Sequence, residues 1–170
     1  FVKGVANPTY ENEDGEELVG VKTFNKTAGK EGIAVSLLKA VTYSGRVGYI
    51  TLKVKEGANF TESAVSAQLS ANIGKDKVAT SINEVKVKAP VIETTVPTEP
   101  AGSETAMQFT MTPDKTGALN AGDEVKFTVT VEGSEPCDQF GLIFDFDRDV
   151  FEFVKGVANP TYENEDGEEL

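Results

Sequence analysis

The sequence predicts an all-β protein, an antiparallel β-sandwich with jelly-roll topology. Apolar and polar residues alternate with a period of two, which is typical of half-buried strands and differs from the helical period of 3.6. The alternating segments are short, and clusters of Gly, Asn, Asp and Pro separate them, as in sandwiches and jelly rolls. The chain has 170 residues, a length that fits one domain better than two.

Each predicted strand rests on its own pattern. In the segment EVKFTVTV, Val125, Phe127, Val129 and Val131 alternate with polar residues, and the segments YITLKVK and NEVKVKA repeat that alternation. Two further segments, IAVSLL and GLIFDF, are apolar runs bounded by turn residues. Residues 60–69 form the one stretch for which we expect a helical turn. The predicted strands are, in chain order, residues 33–38, 49–55, 83–89, 124–131 and 141–146.

The amino-acid composition argues against several classes of function. Acidic residues outnumber basic ones 28 to 16, for a net charge of −12, which argues against a nucleic-acid partner. The sequence has no histidine and a single cysteine, Cys137, so a histidine-based catalytic triad and an internal disulfide are both excluded. The apolar runs are too short to span a bilayer, and we therefore expect no membrane insertion.

The chain carries the same 18 residues twice. FVKGVANPTYENEDGEEL occupies residues 1–18 and returns unchanged as residues 153–170. Residues 90–104, rich in Pro, Thr and Glu, have no periodicity and are predicted to be a linker. We therefore expect residues 1–89 to be the C-terminal part of a domain and residues 105–170 to be its N-terminal part.

Two histories fit this arrangement: a circular permutant with overlapping ends, or a slice across two repeats of a longer array. In either case one position in the fold has two candidate segments. We expect the chain to close on itself as a monomer, because the linker is short enough for easy closure, while pairing two chains carries an association cost. A domain-swapped oligomer is the alternative.

Read from Thr105 onward, the sequence resembles the cohesin modules of bacterial cellulosome scaffoldins. The segment AGDEVKFTVTV at 121–131 matches a GD-x-V-x-V-x-V strand of that family. The segment FDRDVFE at 146–152 matches a strand that ends in YD-x-x-V-L-E, and GRVGYITLKVKEGA at 45–58 matches a glycine-led strand followed by a Gly-Ala turn. The linker also resembles scaffoldin linkers, so the resemblance implies a secreted or cell-surface bacterial array.

The resemblance implies that one sheet face binds a dockerin, a small helical module that carries its own calcium. Alternation around residue 143 places Leu142, Phe144 and Phe146 inward. Many cohesins hold the dockerin helix with an Asn-x-Asp pair, for which this chain has Gln139 and Gly141. The loop 73–77 lies where partner contacts often occur in the family. The residues that the resemblance assigns to the partner-binding face are Gln139, Gly141, Ile143, Asp145, Ala34, Ser36, Leu38, Tyr49, Thr51 and Lys53.

Other chemistry has weaker support in the sequence. The acidic run ENEDGEE at 11–17 lacks the alternate carboxylates and the final Glu of a calcium-binding EF-hand loop, and a solvated loop is expected instead. Asp145, Asp147 and Asp149 could form a metal site or an acid/base pair, but the family match makes Asp147 a turn residue. The chain has no tryptophan, so a polysaccharide-binding cleft is hard to build. Cys137 is either a reactive thiol or, more commonly for such a residue, a buried small side chain.

The sequence thus predicts a non-catalytic protein-binding module with no catalytic residues, metal or cofactor of its own. A stalk or adhesin repeat with no dedicated ligand is the alternative from a different class, and a carbohydrate-binding module is a third.

Overall fold

A computed structural model describes residues 19–58, 60, 62–73, 77–88, 92–94, 106–115 and 119–160 of the chain. These residues form ten β-strands. The strands are β1 (Val19–Asn25), β2 (Gly32–Val41), β3 (Ser44–Val54), β4 (Glu62–Ile73), β5 (Lys77–Lys88), β6 (Ile92–Thr94), β7 (Met107–Pro113), β8 (Glu124–Gly133), β9 (Cys137–Phe146) and β10 (Phe151–Ala158). In the described part of the chain, no helix is long and apolar enough to cross a membrane.

The strands are arranged in two antiparallel sheets. The larger sheet has six strands in the order β1-β2-β9-β4-β5-β6, and the smaller has four in the order β10-β3-β8-β7. Every ladder between neighbouring strands is antiparallel. The all-β class and the two antiparallel sheets are therefore confirmed.

The core lies between the two sheets and is built by the alternation seen in the sequence. On β8, Val125, Phe127, Val129 and Val131 are buried, and the residues between them are not. The aromatic rings of Tyr43, Phe140, Phe144 and Phe151 add large, fully buried side chains. Such burial is the dominant favourable contribution to folding.

Strands from the two ends of the chain interleave in both sheets. β9 lies between β2 and β4, and β8 lies between β3 and β7. Because β7 to β10 all follow residue 104 in the sequence and β1 to β5 precede it, neither segment forms a complete sheet by itself in this structure.

Two parts of the fold differ from the sequence prediction. The helical turn expected within residues 60–69 is wrong, because β4 runs through that segment and pairs with β5 and β9. The pattern is hard to recognise because the inward residues of β4 include Ala67 and Ala71, which are compatible with a helix. The other difference lies in the predicted linker, of which Ile92–Thr94 form β6 beside β5.

The duplicated segment contributes its C-terminal copy to the described fold. Residues 153–158 belong to β10, which pairs with β3 at the edge of the four-stranded sheet. Residues 1–18 and 161–170 lie outside the described residues.

Candidate functional site

The outer surface of the six-stranded sheet carries three rows of uncharged residues across β1, β2, β9 and β4. Paired residues in adjacent strands share a face of the sheet, so the registers define each row. We call this surface the uncharged face. In strand order its rows are Val21, Ser36, Gln139 and Asn72; then Thr23, Ala34, Gly141 and Ser70; then Asn25, Gly32, Ile143 and Gln68.

The centre of the uncharged face is an open depression of about 540 Å³. Its middle row is small because Ala34, Gly141 and Ser70 have few side-chain atoms, whereas Gln139 and Ile143 stand on either side along β9. The depression is thus a direct consequence of residue size along one row.

The depression also depends on Gly32 at the start of β2. A Cβ atom at this position would lie 2.3 Å from the carbonyl oxygen of Leu142 on β9. No side chain fits there without separating the two strands. The position therefore requires glycine, and β2 and β9 approach closely beneath the face.

Most of the exposed large apolar side chains of the described residues belong to this surface. Val21, Leu38 and Ile143 are each about 60% exposed, and the fourth, Val154, lies on β10. Val21 and Ile143 lie in the rows, and Leu38 adjoins them beyond an irregularity in the β2–β9 ladder. Two charged groups lie at the margin of the rows: Lys30 lines the depression, and Asp145 lies one alternation beyond Ile143.

The structure brings together seven of the ten residues that the family resemblance implied. Gln139, Gly141, Ile143 and Asp145 lie on one face of β9, with Leu142, Phe144 and Phe146 buried on the other, as the alternation predicts. The remaining predicted residues on this sheet are Ala34, Ser36 and Leu38 on β2, which pairs with β9.

The placement of Tyr49, Thr51 and Lys53 on the same face is wrong. These residues lie on β3, which belongs to the four-stranded sheet on the opposite side of the core. Their inward neighbours Ile50 and Leu52 are buried, so the three predicted residues face outward from the other sheet. The predicted loop at 73–77 has residues 74–76 outside the described residues.

The surface around Tyr49 is charged, in contrast to the uncharged face. Lys126 and Lys155 approach the Tyr49 ring, with their Nζ atoms 5.8 and 5.9 Å from its centroid. Two rows beyond Tyr49, Lys53 lies between Glu124 and Glu152 on the neighbouring strands. We call this surface the charged face.

Sequence reasoning missed the residues that β1 and β4 contribute to the uncharged face. Thr23 and Asn25 lie on β1, and Gln68, Ser70 and Asn72 lie on β4. The available signal was the alternation of Val65, Ala67, Leu69 and Ala71, which leaves the intervening polar residues on the other side of the strand.

An ion pair fixes one end of the face. Glu31 precedes β2, and its side chain is 1% exposed, while Arg148 lies in the turn before β10. Arg148 Nη1 and Nη2 donate to Glu31 Oε1 at 3.0 Å and Oε2 at 2.6 Å, a bidentate arrangement. The Glu31 carbonyl also accepts from the Phe144 amide, so this residue connects β2 to β9 and to the following turn.

Burial alone would raise the pKa of the Glu31 carboxyl. The Arg148 hydrogen bond, backbone donors and the Arg148 charge outweigh burial and lower the pKa below its ordinary value of 4.5. A carboxyl with a lowered pKa in the folded state stabilises the protein above its unfolded-state pKa, and this stabilisation is lost as the pH falls through the folded-state pKa.

We therefore predict that Glu31→Gln makes the free energy of unfolding less dependent on pH in the acidic range. At pH 7 the variant should lose about 1–2 kcal/mol, a modest value because Arg148 is partly exposed to solvent. As the pH falls below about 4.5, the difference between the variant and the original protein should shrink. Urea unfolding at several pH values measures both effects, and a difference that stays constant with pH would contradict the role assigned to the Glu31 charge.

The other candidate groups from the sequence, Cys137 and Asp147, contribute to the packing of the core and to a turn. Cys137 is fully buried, and burial, with a smaller contribution from the Asp138 charge, raises the pKa of its thiol to about 11. Asp147 lies in the turn before β10, where its side chain accepts the Asp149 amide and its carbonyl accepts the Phe151 amide. Among the described residues, no group of three or more Asp, Glu, Cys or His side chains is placed to hold a metal ion. The acidic run at 11–17 lies outside the described residues.

Comparisons of the chain with protein-family models, with curated proteins and with solved structures find no match.

Proposed function

We propose that this protein is a non-catalytic binding module that resembles a cohesin and docks a dockerin-type helical partner on the uncharged face. The partner would carry its own calcium, and the module would act within a secreted or surface-attached bacterial scaffold. The observation that carries the proposal is the concentration of exposed apolar groups on a surface whose twelve row positions, three on each of four strands, have no charged residue.

The contrast between the two sheet faces supports this choice of surface. Charged residues are depleted at the centres of protein interfaces, because each buried charge must lose its water. The chain as a whole has 44 charged residues, as 28 acidic plus 16 basic, so an uncharged surface of this extent requires an explanation. The charged face, with Lys53 and its two Glu neighbours, is of the more usual solvated kind.

The dimensions of the face also suit a helix. The first and third rows are four residues apart along each strand, a separation of about 13 Å. An α-helix with its side chains is about 10–12 Å across, so it can lie over the middle row between the larger side chains. Gln139 would then offer an amide where many cohesins have Asn, and Gly141 would allow close approach to the backbone.

The connections between the strands of the two sheets support a jelly-roll topology. Five pairs of consecutive strands pass from one sheet to the other: β2 to β3, β3 to β4, β6 to β7, β8 to β9 and β9 to β10. Repeated crossing between two antiparallel sheets is typical of jelly rolls and Greek keys. We include that topology in the proposal.

A retention experiment tests the function. The purified 170-residue chain, immobilised through a tag, should retain dockerin-bearing proteins from the secreted fraction of a cellulosome-producing bacterium. Because the partner's calcium maintains its fold, a chelator should release them. Failure to retain any dockerin-bearing protein, with calcium present, would favour the stalk repeat. Retention of the chain on insoluble polysaccharide would instead indicate a carbohydrate-binding module.

A further inference from the structure

The edge of β3 holds β10 through contacts that lie mostly within the duplicated segment. Five of the seven paired residues of β10 belong to it: Phe153, Lys155, Gly156, Val157 and Ala158. The Asn159 amide extends the ladder by donating to the Val47 carbonyl at 3.0 Å.

Phe24 of β1 makes the site selective for this sequence. Its ring stacks on Phe153, with centroids 5.9 Å apart, and covers Gly156. A Cβ atom at Gly156 would lie 2.0 Å from the Phe24 ring. A strand that fits here therefore needs an aromatic residue and, three positions later, a glycine.

Residues 1–8, FVKGVANP, have the same residues in the same order as residues 153–160. Phe1 corresponds to Phe153, and Gly4 corresponds to Gly156. Because the two copies have the same backbone hydrogen-bonding groups and the same side chains, both can pair with the β3 edge equally well.

We propose that the β3 edge, together with Phe24, is a strand-binding site that accepts residues 1–8 of the same chain in place of residues 153–160. The C-terminal copy has the advantage in the unaltered protein, because Phe151 and Glu152 lead directly into it on β10. The N-terminal copy takes the site when the C-terminal copy is excluded.

Chain length allows this exchange within one molecule. Phe24 contacts Gly156, Val19 is five residues from Phe24, and Pro160 is four residues from Gly156. The distance from Val19 to Pro160, counted along the two strands, is therefore at most about 30 Å. The eleven steps from Pro8 to Val19 reach about 36 Å when extended. Attachment to the same chain gives the copy a high effective concentration at the site, in the millimolar range for a short linker.

Matched valine substitutions test the proposal. Gly156→Val excludes the C-terminal copy by collision with Phe24, and the N-terminal copy should replace it, with a Tm lowered by less than about 5 °C. Gly4→Val is the control and should leave the Tm unchanged. The double variant Gly4→Val/Gly156→Val excludes both copies and should lower the Tm by roughly 10 °C or more. Deletion of residues 1–18 from the Gly156→Val variant should act like the double variant.

Hydrogen exchange with mass spectrometry locates the seated copy. In Gly156→Val the two copies differ in mass, and protection should be found in residues 1–8 and be lost from residues 153–160. The variant should remain a monomer of about 18.2 kDa by light scattering. The proposal is overturned if Gly156→Val is as unstable as the double variant, if the double variant is as stable as the original protein, or if Gly156→Val is a dimer.

Discussion

Ile143→Asp is expected to weaken partner binding by at least about 100-fold, because it places a charge beside the central depression, on a surface that must become dry on binding. Ile143 is 59% exposed and lies in the third row of the uncharged face, between Gly32 and Gln68. A carboxylate that is buried there against a helical partner finds no positive charge among the row residues beside it, Gly32 and Gln68, of which Gln68 offers only a neutral amide. Isothermal titration calorimetry with a purified dockerin-type module measures the loss.

Tyr49→Ala is the matched control for that experiment. Tyr49 lies on the charged face, on the far side of the core, so its removal should change the affinity less than about twofold. Ile143→Asp itself should leave the fold intact, since the side chain it replaces is on the surface. Unchanged affinity in a folded Ile143→Asp variant would exclude the uncharged face as the docking surface, and a large loss with Tyr49→Ala would point to the charged face.

Phe144→Ala is expected to reduce the free energy of unfolding by about 3–5 kcal/mol, although the residue is next to Ile143 in the sequence. The Phe144 side chain is 1% exposed and points into the core, where its ring lies 6.2 Å from the Phe24 ring. Its removal loses buried apolar area and leaves a cavity between the sheets. Since whole domains have only about 5–15 kcal/mol of stability, this loss is a large fraction of the total.

Urea unfolding followed by circular dichroism measures the effect of Phe144→Ala, with Ile143→Ala as the neighbouring surface control. The control should change the stability by less than about 1 kcal/mol. Equal losses for the two variants would contradict the inward and outward assignment along β9, and with it the composition of the uncharged face.

The direction of side chains along single strands could be predicted from the sequence, and the assignment of strands to sheets could not. Alternation separates Ile143 from Leu142 and Phe144 because a strand has a period of two. The same alternation in β2 and β3 says nothing about which sheet each strand joins. The family resemblance alone places Ala34 and Tyr49 on one face, whereas β2 and β3 lie on opposite sides of the core. Only long-range pairing, β2 with β9 and β3 with β8, resolves this.

The omission of the β4 residues from the predicted face has a different cause. In β4, the inward residues Ala67 and Ala71 are small, and the outward residues Ser66 and Ser70 are small and only moderately polar. This weak contrast in polarity is as compatible with a helix as with a strand, and the intrinsic propensity of alanine favours a helix. The segment forms a strand because it pairs with β5 and β9. The small size that obscured the pattern at Ser70 is also what contributes to the depression.

The docking surface is tested most directly by nuclear magnetic resonance titration of the isotope-labelled chain with a purified, calcium-loaded dockerin-type module. The account predicts that the largest shifts occur at the amides of Ala34, Gly141 and Ser70, the middle row of the uncharged face, with little change at Tyr49, Thr51 and Lys53. Shifts concentrated on those three residues, or no shifts at a saturating concentration of the module, would contradict it.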